Sequence, residues 1–220
     1  MPSVLITGVF SNLGRAVAGT FADRGWTVYG TTSRQGQDRG NLDRLFVLDL
    51  SGRDVSFPQL DSLDVLVNNA GVFTECHIED MTDCDYDRVF NLNVRGLIKT
   101  IQACLPLLKA SDGSVVNISS MNAIHPGFGS TSHYDASKGA VSALTRSLAA
   151  ETGLRINAVQ SGLIHRPSLE GSGLEAYWKS HTVCPQLMDT SQIADLVYFL
   201  ATCRGIYGQC VTIDNGFTLC

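Results

Sequence analysis

Tyr134 and Lys138 stand four residues apart in the run Tyr-Asp-Ala-Ser-Lys, a spacing that places both side chains on one face of a helix. A phenol with an ordinary pKa of about 10 is a poor proton carrier at neutral pH. A cation about 4 Å away, at an effective dielectric constant of about 20, would lower that pKa by about three units. The pair therefore indicates a tyrosine tuned to act as acid and base. Alone, the same spacing is also common on solvated helices that carry no chemistry.

A glycine-bearing turn near the start of the chain has the pattern of a dinucleotide phosphate cradle, in the run LITGVFSNLGRA. Gly8 permits a tight turn, and Gly14 lets the following helix approach the strand closely. The first N–H groups of that helix would point at an anion, with Ser11 and Leu13 as the expected donors. Asn12 replaces the middle glycine of the usual three. Because Asn tolerates positive φ, we expect the turn to persist with less space near the pyrophosphate.

Composition favours one globular domain spanning residues 1–220, with 44% hydrophobic and 17% charged residues. The net charge is -5 and the basic residues are scattered, which argues against a nucleic-acid or anionic-membrane partner. No apolar run is long enough for a membrane span or a signal peptide, so a cytoplasmic location is expected. Seven cysteines without a Cys-x-x-Cys pair favour reduced thiols over disulfides or a metal site.

Short β-rich runs alternate with helical stretches, which predicts an α/β fold: a single Rossmann-type, doubly wound domain with a mostly parallel seven-stranded sheet and helices on both faces. The predicted strands are 4–6, 27–29, 45–48, 65–67, 114–118, 156–159 and 210–213. The predicted helices are 14–24, 83–109, 133–152 and 190–203, the second capped by Thr82 or Asp83. Ligands of such sheets bind at the carboxyl ends of the strands.

With these elements in order, the chain resembles the short-chain dehydrogenase/reductase family over nearly its whole length. The matching motifs are Thr7-Gly8 through Gly14, Asp49-Leu50, Asn68-Asn69-Ala70-Gly71, Asn93 in Asn-Val-Arg-Gly, Ser120 ending Asn-Ile-Ser-Ser, Tyr134 with Lys138, Gly208-Gln209 and Ile213-Asp214-Asn215-Gly216. The resemblance implies an NAD(P)-dependent oxidoreductase that interconverts a carbonyl and a secondary alcohol by hydride transfer. It also implies a homodimer or homotetramer built on the helices that start near Asp83 and His133.

The resemblance assigns a role to each member of the catalytic set Asn93, Ser120, Tyr134 and Lys138. Tyr134 exchanges the proton, Ser120 hydrogen-bonds the same substrate oxygen, Lys138 holds the nicotinamide ribose, and Asn93 supports a proton-supplying water chain. The implied cofactor-binding residues are Gly8, Ser11, Asn12, Leu13, Gly14, Ser33, Arg34, Asp49, Leu50, Asn69, Ala70, Gly71, Tyr134, Lys138 and, through its backbone, Ile164. Seen singly, Ser120 could instead be a strand-end hydroxyl, and Asn93 a buried amide at a helix irregularity.

Three departures from the family pattern stand out. Segment 50–63 is too short for the helix that normally joins the third and fourth strands, so a turn or loop is expected. Ser120 lies fourteen residues before Tyr134, one more than the family spacing, which predicts a bulged loop near the substrate. Arg166 stands where a threonine often contacts the nicotinamide amide, which weakens that anchor.

Cofactor choice depends on the end of the second strand, where an acid would bind the ribose hydroxyls of NAD and a cation the 2′-phosphate of NADP. The segment there is Thr31-Thr32-Ser33-Arg34, without an acid. Ser33 can hydrogen-bond a phosphate and Arg34 can neutralise it, so NADP is favoured, with NAD as the alternative.

The substrate is expected to be a small or medium ketone, aldehyde or alcohol. Candidate pocket residues are Met121, Asn122, His125, Phe128, His133, Leu163, His165, Tyr177 and Trp178. Two other functions remain open: a cofactor-binding regulator or scaffold of the same fold without turnover, and an epimerase or lyase. Against an epimerase, the sequence shows no extra C-terminal substrate domain of the kind that such epimerases usually carry.

Overall fold

The computed structural model describes all 220 residues. The strands are β1 Ser3–Ile6, β2 Thr27–Thr32, β3 Arg44–Val47, β4 Val65–Asn68, β5 Ser114–Ile118, β6 Arg155–Ser161 and β7 Cys210–Ile213. The helices are α1 Asn12–Ala22, α2 Asp83–Phe90, α3 Leu97–Ala110, α4 Ser132–Thr152, α5 Gly173–Ser180 and α6 Thr190–Thr202. The strands form one sheet in the order β3-β2-β1-β4-β5-β6-β7, and every neighbouring pair is parallel.

Alternate residues of the central strands serve two separate hydrophobic cores, one on each face of the sheet. In β1, Val4 and Ile6 belong to the core under α1 and α6, whereas Leu5 belongs to the core under α3 and α4. Strands covered on both faces read as nearly continuous apolar runs, as these do. The strand order reverses between β1 and β4, so their carboxyl ends open the crevice in which ligands of this architecture bind.

The helical stretch expected at 83–109 consists of three parts. Thr82 caps α2 in a capping box with Asp85. A π-helical turn, Asn91–Gly96, then separates α2 from α3. Such a turn accommodates one extra residue and often marks a functional site.

The remaining elements agree with the predicted strands and helices to within a few residues, with one omission. Helix α5 was not predicted, because its single buried side chain, Trp178, gives no apolar period. The joining segment 50–63 contains turns and no helix, as expected from its length. No helix of the chain is both long enough and apolar enough to cross a bilayer.

Candidate active site

Helix α4 presents Tyr134 and Lys138 to the crevice on one face, as the spacing predicts. The Lys138 Nζ lies 5.6 Å from the centroid of the Tyr134 ring and donates a hydrogen bond of 2.9 Å to the Ile118 carbonyl at the end of β5. Lys138 is buried, and Tyr134 is partly exposed to the cleft. The phenol therefore faces the cavity while the ammonium is enclosed by protein.

The electrostatic effect on Tyr134 is opposite to the sequence prediction. Burial raises the pKa of Tyr134 to about 12, although an interaction with the Ser120 hydroxyl opposes part of that shift. Burial also lowers the pKa of Lys138 to about 8. The expected lowering of the phenol pKa by a neighbouring cation was wrong, because desolvation by burial dominates for both groups.

Asn93 lies in the π-helical turn, with its amide directed into the protein. Its Oδ1 accepts from the Val72 N–H at 2.8 Å, and its Nδ2 donates to the Val72 carbonyl at 3.0 Å and to the Ser137 Oγ at 3.1 Å. The amide thus joins the loop after β4 to α4, one residue before Lys138. Asn93 therefore occupies a helix irregularity and contacts α4, and its catalytic role stays a prediction.

Ser120 follows β5 and opens a short helical turn, Met121–Ala123. Its Oγ accepts from the Asn122 N–H at 3.2 Å and donates to the Asn122 Oδ1 at 3.1 Å. The loop beyond it is bulged, as the extra residue predicted, with positive φ at Gly129 and Ser130. The hydroxyl is therefore held at the cavity wall and lines the same cavity as Tyr134.

The glycine turn after β1 has the close packing that its residues predict. Gly8 has a φ of +61°, and a Cβ there would lie 3.0 Å from the Ala70 Cα. A Cβ on Gly14 would lie 2.6 Å from the Gly8 carbonyl oxygen. Asn12 differs from the prediction: it is the first residue of α1 and its φ is not positive, so replacing a glycine there needs no tolerance of the left-handed region.

The start of α1 offers hydrogen-bond donors to an anion, but Ser11 would donate through its hydroxyl group and not through its backbone N–H as predicted. The Ser11 N–H is occupied by the Gly8 carbonyl, and its Oγ accepts from the Gly14 N–H at 3.0 Å and the Asn69 Nδ2 at 3.1 Å. The Ser11 hydroxyl hydrogen stays available, as do the N–H groups of Asn12 and Leu13, which have no protein acceptor. Three donors therefore point out of the helix start.

The motif after β4 organises this turn. The Asn69 Nδ2 donates to the carbonyls of Thr7 and Gly8, each at 2.9 Å. The Thr7 hydroxyl accepts from the N–H groups of Asn69 and Ala70. A Cβ on Gly71 would lie 3.2 Å from the Asn93 Oδ1. These residues lock the turn to the sheet, and the part played by Thr7 was not predicted because a strand-end threonine has no distinguishing pattern.

A pocket on the other side of the turn has the position expected for the adenosine half of a dinucleotide. Its wall contains Gly8, Ser11, Thr31, Thr32, Ser33, Leu48, Asp49, Leu50, Asn69, Ala70, Gly71 and Leu92. The carboxylate of Asp49 accepts from the Ser51 N–H and hydroxyl, which lowers its pKa. Arg34 follows Ser33, and its exposed side chain has no protein partner. No acid occupies the end of β2.

The cavity around Tyr134 measures about 220 Å³. Of the candidate wall residues, Met121, Asn122, Phe128, Leu163 and His165 line it. The other four do not. His133 is buried against the Thr74 hydroxyl at 2.7 Å, His125 bonds the Pro126 carbonyl, and Tyr177 and Trp178 form an aromatic layer behind Phe128 with Phe217.

Four wall residues were not predicted from the sequence: Ser161 and Gly162 at the end of β6, and the hydrophobic residues Phe73 and Leu174. The Phe73 ring meets the Tyr134 ring edge to face, with centroids 4.9 Å apart. It comes directly after the Asn-Asn-Ala-Gly-Val run, so its position relative to that motif was the available signal. Leu174 belongs to the unpredicted α5.

The loop after β6 lines the cavity with free backbone groups. Leu163 and His165 form the hydrogen bonds to Met188, at 2.9 Å each, so the N–H and C=O of Ile164 between them have no protein partner. A carboxamide needs one donor and one acceptor, which Ile164 can supply. Arg166 lines the cavity with an exposed side chain that forms no ion pair.

These two pockets meet at the glycine turn, with Ser11 in the wall of one and Asn12 in the wall of the other. A dinucleotide requires this arrangement: two hollows, a donor-rich helix start between them, and no Cβ where the backbone must come close. The residues therefore fit a nicotinamide dinucleotide, which Gly8, Ser11, Leu13 and Ile164 would hold. Fold and site together define a dinucleotide-dependent oxidoreductase of the Rossmann class.

Comparison with known proteins leads to the family. Residues 55–218 match the family model described as "Enoyl-(Acyl carrier protein) reductase". The 3-oxoacyl-[acyl-carrier-protein] reductase FabG of Thermotoga maritima is 32% identical over 98% of this chain and 97% of its own length. The chain belongs to the short-chain dehydrogenase/reductase family, whose members interconvert carbonyl and alcohol groups with a nicotinamide cofactor.

Solved structures agree. ElxO with NADP bound is 27% identical and superposes with a TM-score of 0.87 over 100% of this chain and 99% of that one. A putative 2-deoxy-D-gluconate 3-dehydrogenase from Agrobacterium tumefaciens with bound NADP is also 27% identical, with a TM-score of 0.87 over 100% and 97%. The named relatives are dehydrogenases and reductases, which gives no support to a regulator without turnover.

Proposed function

We propose that this protein uses NADPH to reduce a carbonyl group on a small or medium substrate, with Tyr134 as the proton donor. The observation that carries the proposal is that Ser120, Tyr134 and the free backbone of Ile164 line one cavity, which adjoins the donor-rich start of α1. When bound, the reduced nicotinamide supplies the hydride that reaches the carbonyl carbon.

At neutral pH Tyr134 has the protonated state that reduction requires. With a pKa of about 12 the phenol is protonated, and it can pass its proton to the more basic alkoxide formed from the carbonyl. The phenolate needed for alcohol oxidation is the minor form at pH 7, because burial raises the pKa of Tyr134. Ser120 would hydrogen-bond the same oxygen and hold it near the phenol.

Lys138 and Asn93 would serve the proton supply. With a pKa of about 8, Lys138 is about nine-tenths protonated at pH 7 and can release a proton more easily than an ordinary lysine. Its Nζ is anchored on the Ile118 carbonyl, which leaves two N–H bonds for the cofactor ribose and for water. Asn93 holds the neighbouring Val72 backbone, beside which such water would lie.

The substrate class follows from the cavity wall. Half of its fourteen lining residues are hydrophobic, and the aromatic ones besides Tyr134 are Phe73 and Phe128. This wall suits a carbonyl compound with an apolar body of modest size.

The absence of an acid after β2 supports NADPH over NADH, with Ser33 and Arg34 as the 2′-phosphate ligands. We expect Arg34→Gln to weaken NADPH binding about tenfold or more and to leave NADH binding within about twofold. Arg204→Gln is the matched control, since Arg204 is an exposed arginine beyond α6, near the opposite edge of the sheet. Equal weakening of both cofactors by Arg34→Gln would contradict this assignment.

We further propose association into a homodimer or homotetramer through α2, α3 and α4. The rings of Tyr86 and Phe90 stack on the outer face of α2 with their centroids 4.2 Å apart, and Tyr86 is still 46% exposed, so a partner helix could cover it. On α4 the exposed residues Ala136, Ala143 and Ala150 repeat every seven positions and permit close approach of another helix.

The decisive experiment follows the absorbance of NADPH over a panel of ketones and aldehydes. Tyr134→Phe should lower kcat by about 10²–10⁴ while NADPH still binds, because only the proton donor is lost. Tyr207→Phe, at an exposed surface tyrosine, is the control and should behave as wild type. Turnover that survives Tyr134→Phe would refute the role of the phenol, and NADPH binding without turnover of any carbonyl would refute the function.

A further inference from the structure

The Ser120 hydroxyl is the end of a buried hydrogen-bonded chain that reaches a carboxylate. Ser120 donates to the Asn122 Oδ1 at 3.1 Å, and the Asn122 Nδ2 donates to the Asp135 Oδ1 at 2.7 Å. Ser120 and Asn122 are 7% and 8% exposed, so water competes little for the bond between them, while Asp135 is half-buried. This hydrogen-bonded chain therefore links Asp135, the residue after Tyr134, to Ser120.

Chemistry fixes the direction of every bond in this chain. A carboxylate only accepts, so the amide nitrogen of Asn122 must face Asp135 and its oxygen must face Ser120. An amide oxygen also only accepts, so Ser120 must be the donor. Since the Asn122 N–H already donates to the Ser120 Oγ at 3.2 Å, one lone pair of that oxygen is left, and Ser120 lines the same cavity as Tyr134.

Asp135 is itself held by the bulged loop. Its Oδ2 accepts from the Gly127 N–H and from the Thr131 hydroxyl, each at 3.1 Å. A Cβ on Gly127 would collide with the Asn122 amide nitrogen, so the loop closes over the pair only because this residue has no side chain. The residue that lengthens the Ser120–Tyr134 spacing thus belongs to a loop that is folded onto Asp135.

We propose that Asn122 and Asp135 are positioning residues, which hold the Ser120 hydroxyl with its proton directed along the cavity wall and its free lone pair toward Tyr134. In the proposed reduction, on which this inference rests, the substrate oxygen becomes a strong acceptor as negative charge develops. It then draws the Ser120 proton from the Asn122 Oδ1 by rotation about one bond, without moving the oxygen. The chain sets the position of Ser120 before substrate arrives, which affects kcat more than substrate binding.

Exchanging the two partners tests this connectivity. Asn122→Asp alone sets two carboxylates against each other and breaks the link, whereas Asn122→Asp combined with Asp135→Asn restores an amide donor, a carboxylate acceptor and an acceptor for Ser120. The amide oxygen placed at position 135 can still accept from Gly127 and Thr131. Thr131→Val is the matched control, because it removes one bond to Asp135 without touching the link to Ser120.

We expect Asn122→Asp to lower kcat about thirtyfold or more, with KM and the Kd for NADPH within about threefold of wild type. The double exchange should recover kcat to within about fivefold, and Thr131→Val should keep it within about threefold. If Asn122→Asp does not fold, Asn122→Ala replaces it, with an expected loss in kcat of about tenfold or more.

Wild-type kcat in the Asn122 variants would overturn the inference, as would a double exchange that melts like wild type but stays as slow as Asn122→Asp. A loss in kcat for Thr131→Val equal to that for Asn122→Asp would also overturn it, because the hydrogen bonds of Asn122 and Asp135 would then only support the loop. Tyr134→Phe in the same assay separates the proposed function from the positioning role of Asn122 and Asp135. Turnover that depends on Tyr134 supports the reductase function whatever the Asn122 variants do. If the wild-type protein reduces no carbonyl compound, both the proposed function and the positioning role are refuted.

Discussion

Lys138 carries its charge in a buried position, and this should cost the fold a measurable amount of stability. Its pKa is about 8 in the folded protein against about 10.5 for an exposed lysine, so the unfolded chain binds the proton more tightly. At pH 7 the difference of about 2.5 pKa units corresponds to roughly 3 kcal/mol against folding. As pH rises through 8 toward 10.5 the unfolded chain loses that advantage, and the penalty should fall to roughly 1.5 kcal/mol at pH 9.5.

Replacing Lys138 with Met removes the ionisable group while keeping a similar shape. The free energy of unfolding of Lys138→Met should exceed that of wild type by about 2 kcal/mol at pH 7, after allowing about 1 kcal/mol for the lost bond to the Ile118 carbonyl. Between pH 7 and pH 9.5 this advantage should shrink by about 2 kcal/mol. The variant should be inactive, because methionine cannot supply a proton or bind the cofactor ribose. At this position the group that function requires is therefore the one that lowers stability.

Urea denaturation at the two pH values measures the effect. Lys109→Met, at an exposed lysine near the end of α3, is the control and should show no change in its difference from wild type between them. A difference for Lys138→Met that stays constant with pH would refute the reasoning, because a constant difference reflects packing alone.

Three further predictions concern the same elements. For reduction, kcat/KM should fall above about pH 8 as Lys138 loses its proton, well before Tyr134 ionises, and a plateau extending to pH 10 would contradict the role of the ammonium. Gly14→Ala should abolish measurable NADPH binding, because its Cβ would lie 2.6 Å from the Gly8 carbonyl oxygen, whereas Gly19→Ala in the same helix meets nothing within 4 Å and should bind normally. Tyr86→Glu should shift the protein toward monomer in light scattering coupled to gel filtration, and an unchanged mass would place the interface elsewhere.

The sheet and the motif residues could be predicted from the sequence because their signals are local. Apolar strands between helical stretches indicate the fold, and the tyrosine-lysine spacing survives into α4 unchanged. The pKa of Tyr134 could not be predicted, because it depends on how deeply distant segments bury the ring. The contact between Asn122 and Asp135 was equally hidden, since most of the twelve residues between them form an irregular loop that no periodicity describes. Helix α5 was missed because it buries only Trp178.

The residue count of the π-helical turn Asn91–Gly96 fixes the position of the Asn93 amide. Because such a turn absorbs one extra residue, deleting a residue there would restore α-helical winding and leave α2 and α3 in nearly the same relative rotation. The stacked Tyr86 and Phe90 would stay on the outer face, whereas the Asn93 amide would lose its place opposite Ser137. Length variation is tolerated in many surface loops, but within this turn it would disturb the proposed proton supply while leaving the proposed subunit contact in place.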